Sequence, residues 1–195
     1  MSADRHAAVL TWRVDVVVND AAREVWGAAF TLTLHKRAGE SRDHIVLKLI
    51  GALLIADGRG VVVIEPPVRV VGHRPDVVRE RDGVIAAWVE CGDVGVDKLD
   101  RVTRALGATV PVLALKKGRR GASELRRQLA SIARPERVTT IGFDADAIDA
   151  IGEALNRRTH SRVVATIVSE DGDVRIDVAV DDVAVVLVGE RFSVA

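Results

Sequence analysis

Twelve consecutive residues, Ile45 to Ala56 (IVLKLIGALLIA), are apolar or small except for one lysine, Lys48. The run is too short to cross a bilayer, which takes about twenty residues of helix. From Ser41 to Asp57 apolar residues recur at helical spacing: Ile45, Leu49, Ala52, Leu53 and Ala56. Ser41 is placed to cap the start, and Gly58 and Gly60 stop the helix. A helix this apolar is buried, so the rest of the chain has to be built around it.

The material for that cover is aliphatic. Of 195 residues, 48% are hydrophobic but only 3% are aromatic, and there is no tyrosine. The length suits one domain, residues 1–195. A formal net charge of zero argues against a strongly basic nucleic-acid binder while leaving room for a local basic groove. Cys91 is the only cysteine, so no intramolecular disulfide can form and a reducing cytoplasm is expected. The first twenty residues, interrupted by Arg13 and Asp15, do not form a secretory signal. A soluble cytoplasmic protein with no membrane partner is expected.

Strands precede and follow the helix. Val9–Val18 is β-branched and ends at Asn19-Asp20, and Trp26–Lys36 alternates through Phe30, Leu32 and Leu34. Val61–Val71 is strand-like but bent by Pro66-Pro67. Asp76–Glu80 and Val84–Glu90 flank Arg81-Asp82-Gly83 as a hairpin. Helices are expected at Val96–Leu106, at Ser123–Ala133 with Ser123 as cap, and at Asp144–Asn156 with Asp144 as cap. Thr109–Leu115, Arg137–Ile141 and Arg162–Ser169 read as strands, and Val174–Val188 as a terminal hairpin around Asp181-Asp182, after the turn Asp171-Gly172. The pattern is mixed α/β with one central sheet.

Between His73 and Arg101 the chain places two acids and a cation in order: Asp76, Glu90 and Lys98. If Arg81-Asp82-Gly83 is a three-residue loop, Glu80 pairs with Val84 and Asp76 faces Trp88. Glu90 then lies diagonally from Asp76, roughly 7–8 Å away on the same face. A loop of Asp82-Gly83 alone slips the register by one and sends Glu90 to the opposite face. Gly83 suits the left-handed last position of a three-residue loop, which favours the first register. Two carboxylates so placed can share Mg²⁺, with the Cys91 carbonyl as a third ligand, and Lys98 can hold the attacking water or a phosphate oxygen.

Other candidates are weaker. Lys116, Lys117, Arg119 and Arg120, continued by Arg126-Arg127, form a strip that could track phosphates, or a solvated face. Glu170 to Asp182 is acidic and would repel nucleic acid. His44 reads as an exposed helix-start residue, although proton transfer or metal binding is open to it. Cys91 reads as a small buried residue, since no partner histidine is identifiable.

The series Pro75-Asp76, Glu90, Lys98 resembles the PD-(D/E)XK nuclease superfamily. More narrowly, the chain is similar to the bacterial YaeQ family. The resemblance rests on TLTLHKRAGESRDHIVLKLIGALLIAD (residues 31–57), on Trp88-Val89-Glu90 followed by Gly92, and on VVATIVSEDGDVRIDV (residues 163–178). It implies a restriction-endonuclease-like mixed sheet flanked by helices, with extra antiparallel strands at both termini. It also implies a Mg²⁺- or Mn²⁺-dependent nuclease site using Asp76 and Glu90, with Asp43 in the early helix facing it. Gly92 stands where the superfamily places its lysine, and a basic residue on the next helix is the stand-in. Alignment with the family sets Arg101 rather than Lys98 there, and an arginine cannot deprotonate water. The expectation is therefore a metal-dependent phosphodiesterase, or else an inactive nuclease-fold module that binds nucleic acid or a protein.

Overall fold

The computed structural model describes residues 10–170 and 172–192. The apolar run forms helix α1 (Arg42–Ile55), and the Ser41 hydroxyl accepts the His44 N–H at 3.2 Å. Every residue from Ile45 to Ile55 is buried, Lys48 included.

A single mixed sheet supplies the cover. Its strands are β1 (Leu10–Asp20), β2 (Val25–Lys36), β3 (Val61–Ile64), β4 (Val77–Arg81), β5 (Val84–Cys91), β6 (Val112–Lys117), β7 (Val138–Phe143), β8 (His160–Glu170), β9 (Asp173–Val180) and β10 (Val183–Phe192). Their spatial order is β2-β1-β8-β9-β10-β7-β6-β5-β4-β3. The outermost strands β2 and β3 approach each other, so the ten-stranded sheet is nearly closed. The pairs β1–β8, β5–β6 and β6–β7 are parallel and the rest antiparallel.

Alternation along the strands separates two cores. Val77, Val89 and Cys91 face α1, together with inward residues of β1, β8 and β9. Helix α4 (Ala145–Leu155) packs against α1 on this side. Val78 and Trp88 face the other way, against α2 (Val96–Ala105) and α3 (Arg119–Leu129). No helix among the described residues is long and apolar enough to cross a membrane.

Three expectations are corrected. The helix expected at Ser123–Ala133 starts four residues earlier, at Arg119. Gly118, at φ +84°, turns the chain directly off β6, and Gly142 leaves room for the helix start: a Cβ there would lie 2.8 Å from the Ala122 side chain. The strand expected over Val61–Val71 ends at Ile64, because Glu65 is left-handed (φ 47°) and the two prolines follow; Val70 and His73 keep one isolated bridge. Val9 and Asp171 lie outside the described residues.

The third correction concerns the β4–β5 hairpin. Its loop is two residues, Asp82-Gly83, both with positive φ (52° and 75°), and Arg81 pairs with Val84. Alone, this register would have turned Glu90 to the wrong face. Between Ile85 and Ala87, however, the strand carries an extra residue, Ala86, and the register shifts again. Beyond this bulge Val78, not Asp76, pairs with Trp88: the two one-residue slips add to a shift of two, which changes the partners expected across the hairpin but, with a side-chain period of two, restores the face. Deleting Ala86 should remove the bulge and leave Ile85 opposite Glu80, Ala87 opposite Arg79 and Trp88 opposite Val78, so that Trp88 and Glu90 keep the α2 side. The expected outcome is a cooperative thermal transition with near-ultraviolet tryptophan dichroism retained, whereas inserting one alanine after Ala86 should abolish both; an insertion variant with native spectra and unchanged Tm would contradict this register.

Candidate active site

The candidate site lies where β4 begins and β5 ends. Glu90 is 2% exposed, on the α2 side of the sheet. Trp88, two residues earlier on the same face, donates its indole N–H to Glu90 Oε1 at 2.8 Å. From the first turn of α2, Lys98 donates to Glu90 Oε2 at 2.6 Å and to the Arg74 carbonyl at 2.7 Å. Burial pushes the Glu90 carboxyl up to about 7, against the pull of Lys98, and the nearby Asp76 charge adds to the push.

Asp76 immediately precedes β4. Its Oδ2 accepts the Cys91 N–H at 2.7 Å, and its Oδ1 lies 3.2 Å from His44 Nε2. Burial works to raise this carboxyl, but the hydrogen bond and charge of His44, the Cys91 N–H and the charge of Lys48 outweigh it and hold it below the usual range. The two carboxylates differ in environment: Asp76 stays ionised while Glu90 holds a proton toward neutrality.

A second set of residues, not anticipated as a group, supports Asp76 from the α1 side. Buried Lys48 pairs with both Glu40 and Glu65, and Arg37 with Glu65. Burial disfavours the Lys48 charge, yet the two glutamates hold its pKa above the ordinary value. His44 Nε2 also lies 3.2 Å from Glu40, so a chain of polar contacts runs from Arg37 through Glu65, Lys48, Glu40 and His44 to Asp76. The available signal was the lone lysine in the apolar run, flanked by Glu40 eight residues before it.

Of the other sequence candidates, Asp43 bonds to Lys117 at 3.0 Å, and Lys117 also holds Asp149 at 2.6 Å. Lys116 lies 3.5 Å from Asp93. Arg119 and Arg120 are exposed at the start of α3, Arg119 3.7 Å from Glu190. Arg101 is exposed on α2, with no hydrogen bond or ion pair to the acids among the described residues. Lys98, not Arg101, is the cation at Glu90. The Cys91 thiol is buried, and burial, with the charges of Asp76 and Glu90, raises its pKa. His44 is part of the site rather than a free surface residue.

Gly92 also has a physical explanation. It sits at φ +67°, and a Cβ there would lie 3.0 Å from His44 Nδ1. A side chain at 92 would be strained and would press on the histidine holding Asp76.

Beside the acids lies a recess of about 510 Å³, lined by Glu40, Asp43, His44, Lys116 and Lys117 among others. A second recess of about 470 Å³, toward α3, shares Asp93, Lys116 and Gly121 with it. Neither is lined by Asp76 or Glu90 themselves. Among the described residues no group of three or more His, Cys, Asp or Glu is gathered for a metal ion.

The model of the YaeQ protein family matches residues 7–187. The crystal structure of YaeQ protein from Xanthomonas axonopodis pv. citri is similar, with 19% identity and a TM-score of 0.72 over 96% of this chain and 100% of that one. That of YaeQ protein from Pseudomonas syringae is 13% identical, with a TM-score of 0.72 over 96% and 97% of the two chains. These likenesses establish the fold. No curated protein matches the chain.

The Glu90 environment sets a pH dependence. An unfolded glutamate ionises near 4.5, whereas folded Glu90 keeps its proton to about 7. The stabilising contribution of the raised pKa is therefore complete below the lower value and is lost as pH rises through the upper one. Without metal ions, Glu90→Gln should gain stability relative to the wild type by about 2–3 kcal/mol between pH 5 and pH 8. Urea unfolding of both proteins at the two pH values measures this; the same difference at both would contradict the buried acid.

Proposed function

The chain belongs to the YaeQ family, and on that premise we propose that it is a Mg²⁺-dependent phosphodiester hydrolase with a PD-(D/E)XK-type core. The observation that carries the reading is the ion pair from Lys98 to Glu90 at 2.6 Å, at a strand end that also holds Asp76. The lysine absent from position 92 is replaced from α2. The order α1-β3-β4-β5-α2-β6, paired antiparallel, antiparallel and then parallel, supports a restriction-endonuclease-like core within the larger sheet.

The donor set fits a divalent cation. Glu90 is a buried carboxyl whose charge Lys98 does not fully offset, and Asp76 beside it is already ionised. Mg²⁺ takes one or two carboxylates and completes its shell with water and phosphate, so a larger protein cage is not required. Asp76, Glu90 and the Cys91 carbonyl would hold it, and bound Mg²⁺ or Mn²⁺ would polarise a phosphate and acidify a water. Trp88 orients Glu90, His44 orients Asp76, and Lys98 offsets charge on the phosphate. Asp43 is an accessory acid through Lys117. Lys116 lines both recesses, and the exposed Arg119 and Arg120 immediately precede Gly121, which lines both as well; these cations attract a nucleic-acid backbone, whereas two carboxylates already offset Lys117.

A second reading, a non-catalytic module that binds nucleic acid or a protein, is favoured by one observation. Glu90 is 2% exposed, and the open recesses lie beside the acids rather than on them. Assays of supercoiled DNA and structured RNA with Mg²⁺ or Mn²⁺ separate the two. The hydrolase reading expects metal-dependent cleavage that falls at least 100-fold in Asp76→Asn. Nucleic-acid binding without cleavage supports the second reading, and cleavage equal in wild type and Asp76→Asn contradicts the first.

A further inference from the structure

At the far end of α1, roughly 16 Å along its axis from His44, the sheet borders a third recess, of about 410 Å³. It lies beyond the C-terminal turn of α1 and the starts of β5, β6 and β7, so it shares no residue with the candidate active site. Its floor is apolar, built from Leu54, Leu113, Ile141 and Ile167. Arg23, Arg79 and Arg191 line it as well, with Asp20 the only carboxylate among the described lining residues.

The three arginines are not equivalent. Arg23 is committed to Asp20, Nε to Oδ2 at 2.6 Å. Arg79 donates to the Ile55 carbonyl at 2.9 Å, meeting the end of α1, and pairs with Asp57 at 3.0 Å. Arg191 is exposed, and its side-chain partner among the described residues is a neutral hydroxyl, Ser169 Oγ at 2.9 Å. Among the described residues no carboxylate pairs with this guanidinium fork, which lies beside an aliphatic floor.

Protein interiors leave few voids larger than a water molecule, and small-molecule sites are recesses of this size with apolar walls and a few placed polar groups. We infer that this recess binds a small organic carboxylate with an apolar body, its carboxylate on Arg191 and its body against Leu113, Ile141 and Ile167. A carboxylate matches the planar guanidinium fork in a two-bond arrangement. An aliphatic floor offers nothing to the polar parts of a sugar or a nucleotide. The site is separate from phosphodiester chemistry at Asp76 and Glu90 and stands whether or not that chemistry occurs.

The probe is hexanoate, titrated into ¹⁵N-labelled protein, with hexanol, hexylammonium and inorganic phosphate as comparisons. Hexanoate should shift the amide signals of Ile141 and Ile167 and bind at least fivefold more tightly than hexanol. Arg191→Gln, a change at an exposed residue, should weaken hexanoate at least fivefold and leave hexanol unchanged. Equal affinity of hexanoate for wild type and Arg191→Gln would overturn the inference. So would hexanol binding as well as hexanoate, or phosphate displacing it.

Discussion

The structure depends on enclosing one apolar helix that carries a buried charge. Helix α1 is covered from Ile45 to Ile55, which accounts for a sheet curled nearly closed around it. Lys48, 1% exposed inside that enclosure, needs carboxylate partners, because an unpaired ammonium at such a position costs several kcal/mol. Glu40 arrives from the loop before the helix and Glu65 from the end of β3, so the pairing ties three segments together. Through Glu40 and His44 the same network reaches Asp76 and fixes one half of the candidate site.

The other half is fixed by strand register. Glu90 shares a face with Trp88 and meets Lys98 because the two-residue turn at Asp82-Gly83 is compensated by the bulge at Ala86. Each slip alone would turn the acid to the wrong face. A bulge next to a functional site is a common way to re-aim a side chain. The acids then stand in contrast, one ionised and held by donors, the other buried and protonated toward neutrality. Environments that separate two carboxyl pKa values in this way suit a site in which one acid is always charged and the other responds to a cation or a substrate.

Much of this was legible in the residues. The spacing of Ile45, Leu49, Leu53 and Ala56 marked the central helix, and Asp144 marked the start of α4, because caps and periodicity are local signals. A three-residue loop at Arg81-Asp82-Gly83 puts Asp76 and Glu90 on one face, whereas the chain brings them there by a two-residue turn and a bulge. Nothing in Ile85-Ala86-Ala87 announces a bulge, since the cause lies in pairing with β4. The start of α3 was missed because a packing gap at Gly142, distant in sequence, decides it. Lys48 was visible as an anomaly, but its partners Glu40 and Glu65 are brought together only by the tertiary fold. The choice between Lys98 and Arg101, three residues apart on one helix, likewise needed the helix's orientation, which leaves Arg101 in solvent.

The central claim is that Asp76 and Glu90 share one divalent cation. Anomalous diffraction from a crystal soaked in Mn²⁺ addresses it directly. The account predicts one strong peak about 2.1 Å from a carboxylate oxygen of each residue, with Lys98 or His44 moved from its present partner. A peak on other acids, such as Asp43 and Asp149, or no peak at a concentration that saturates known Mn²⁺ sites, would contradict it.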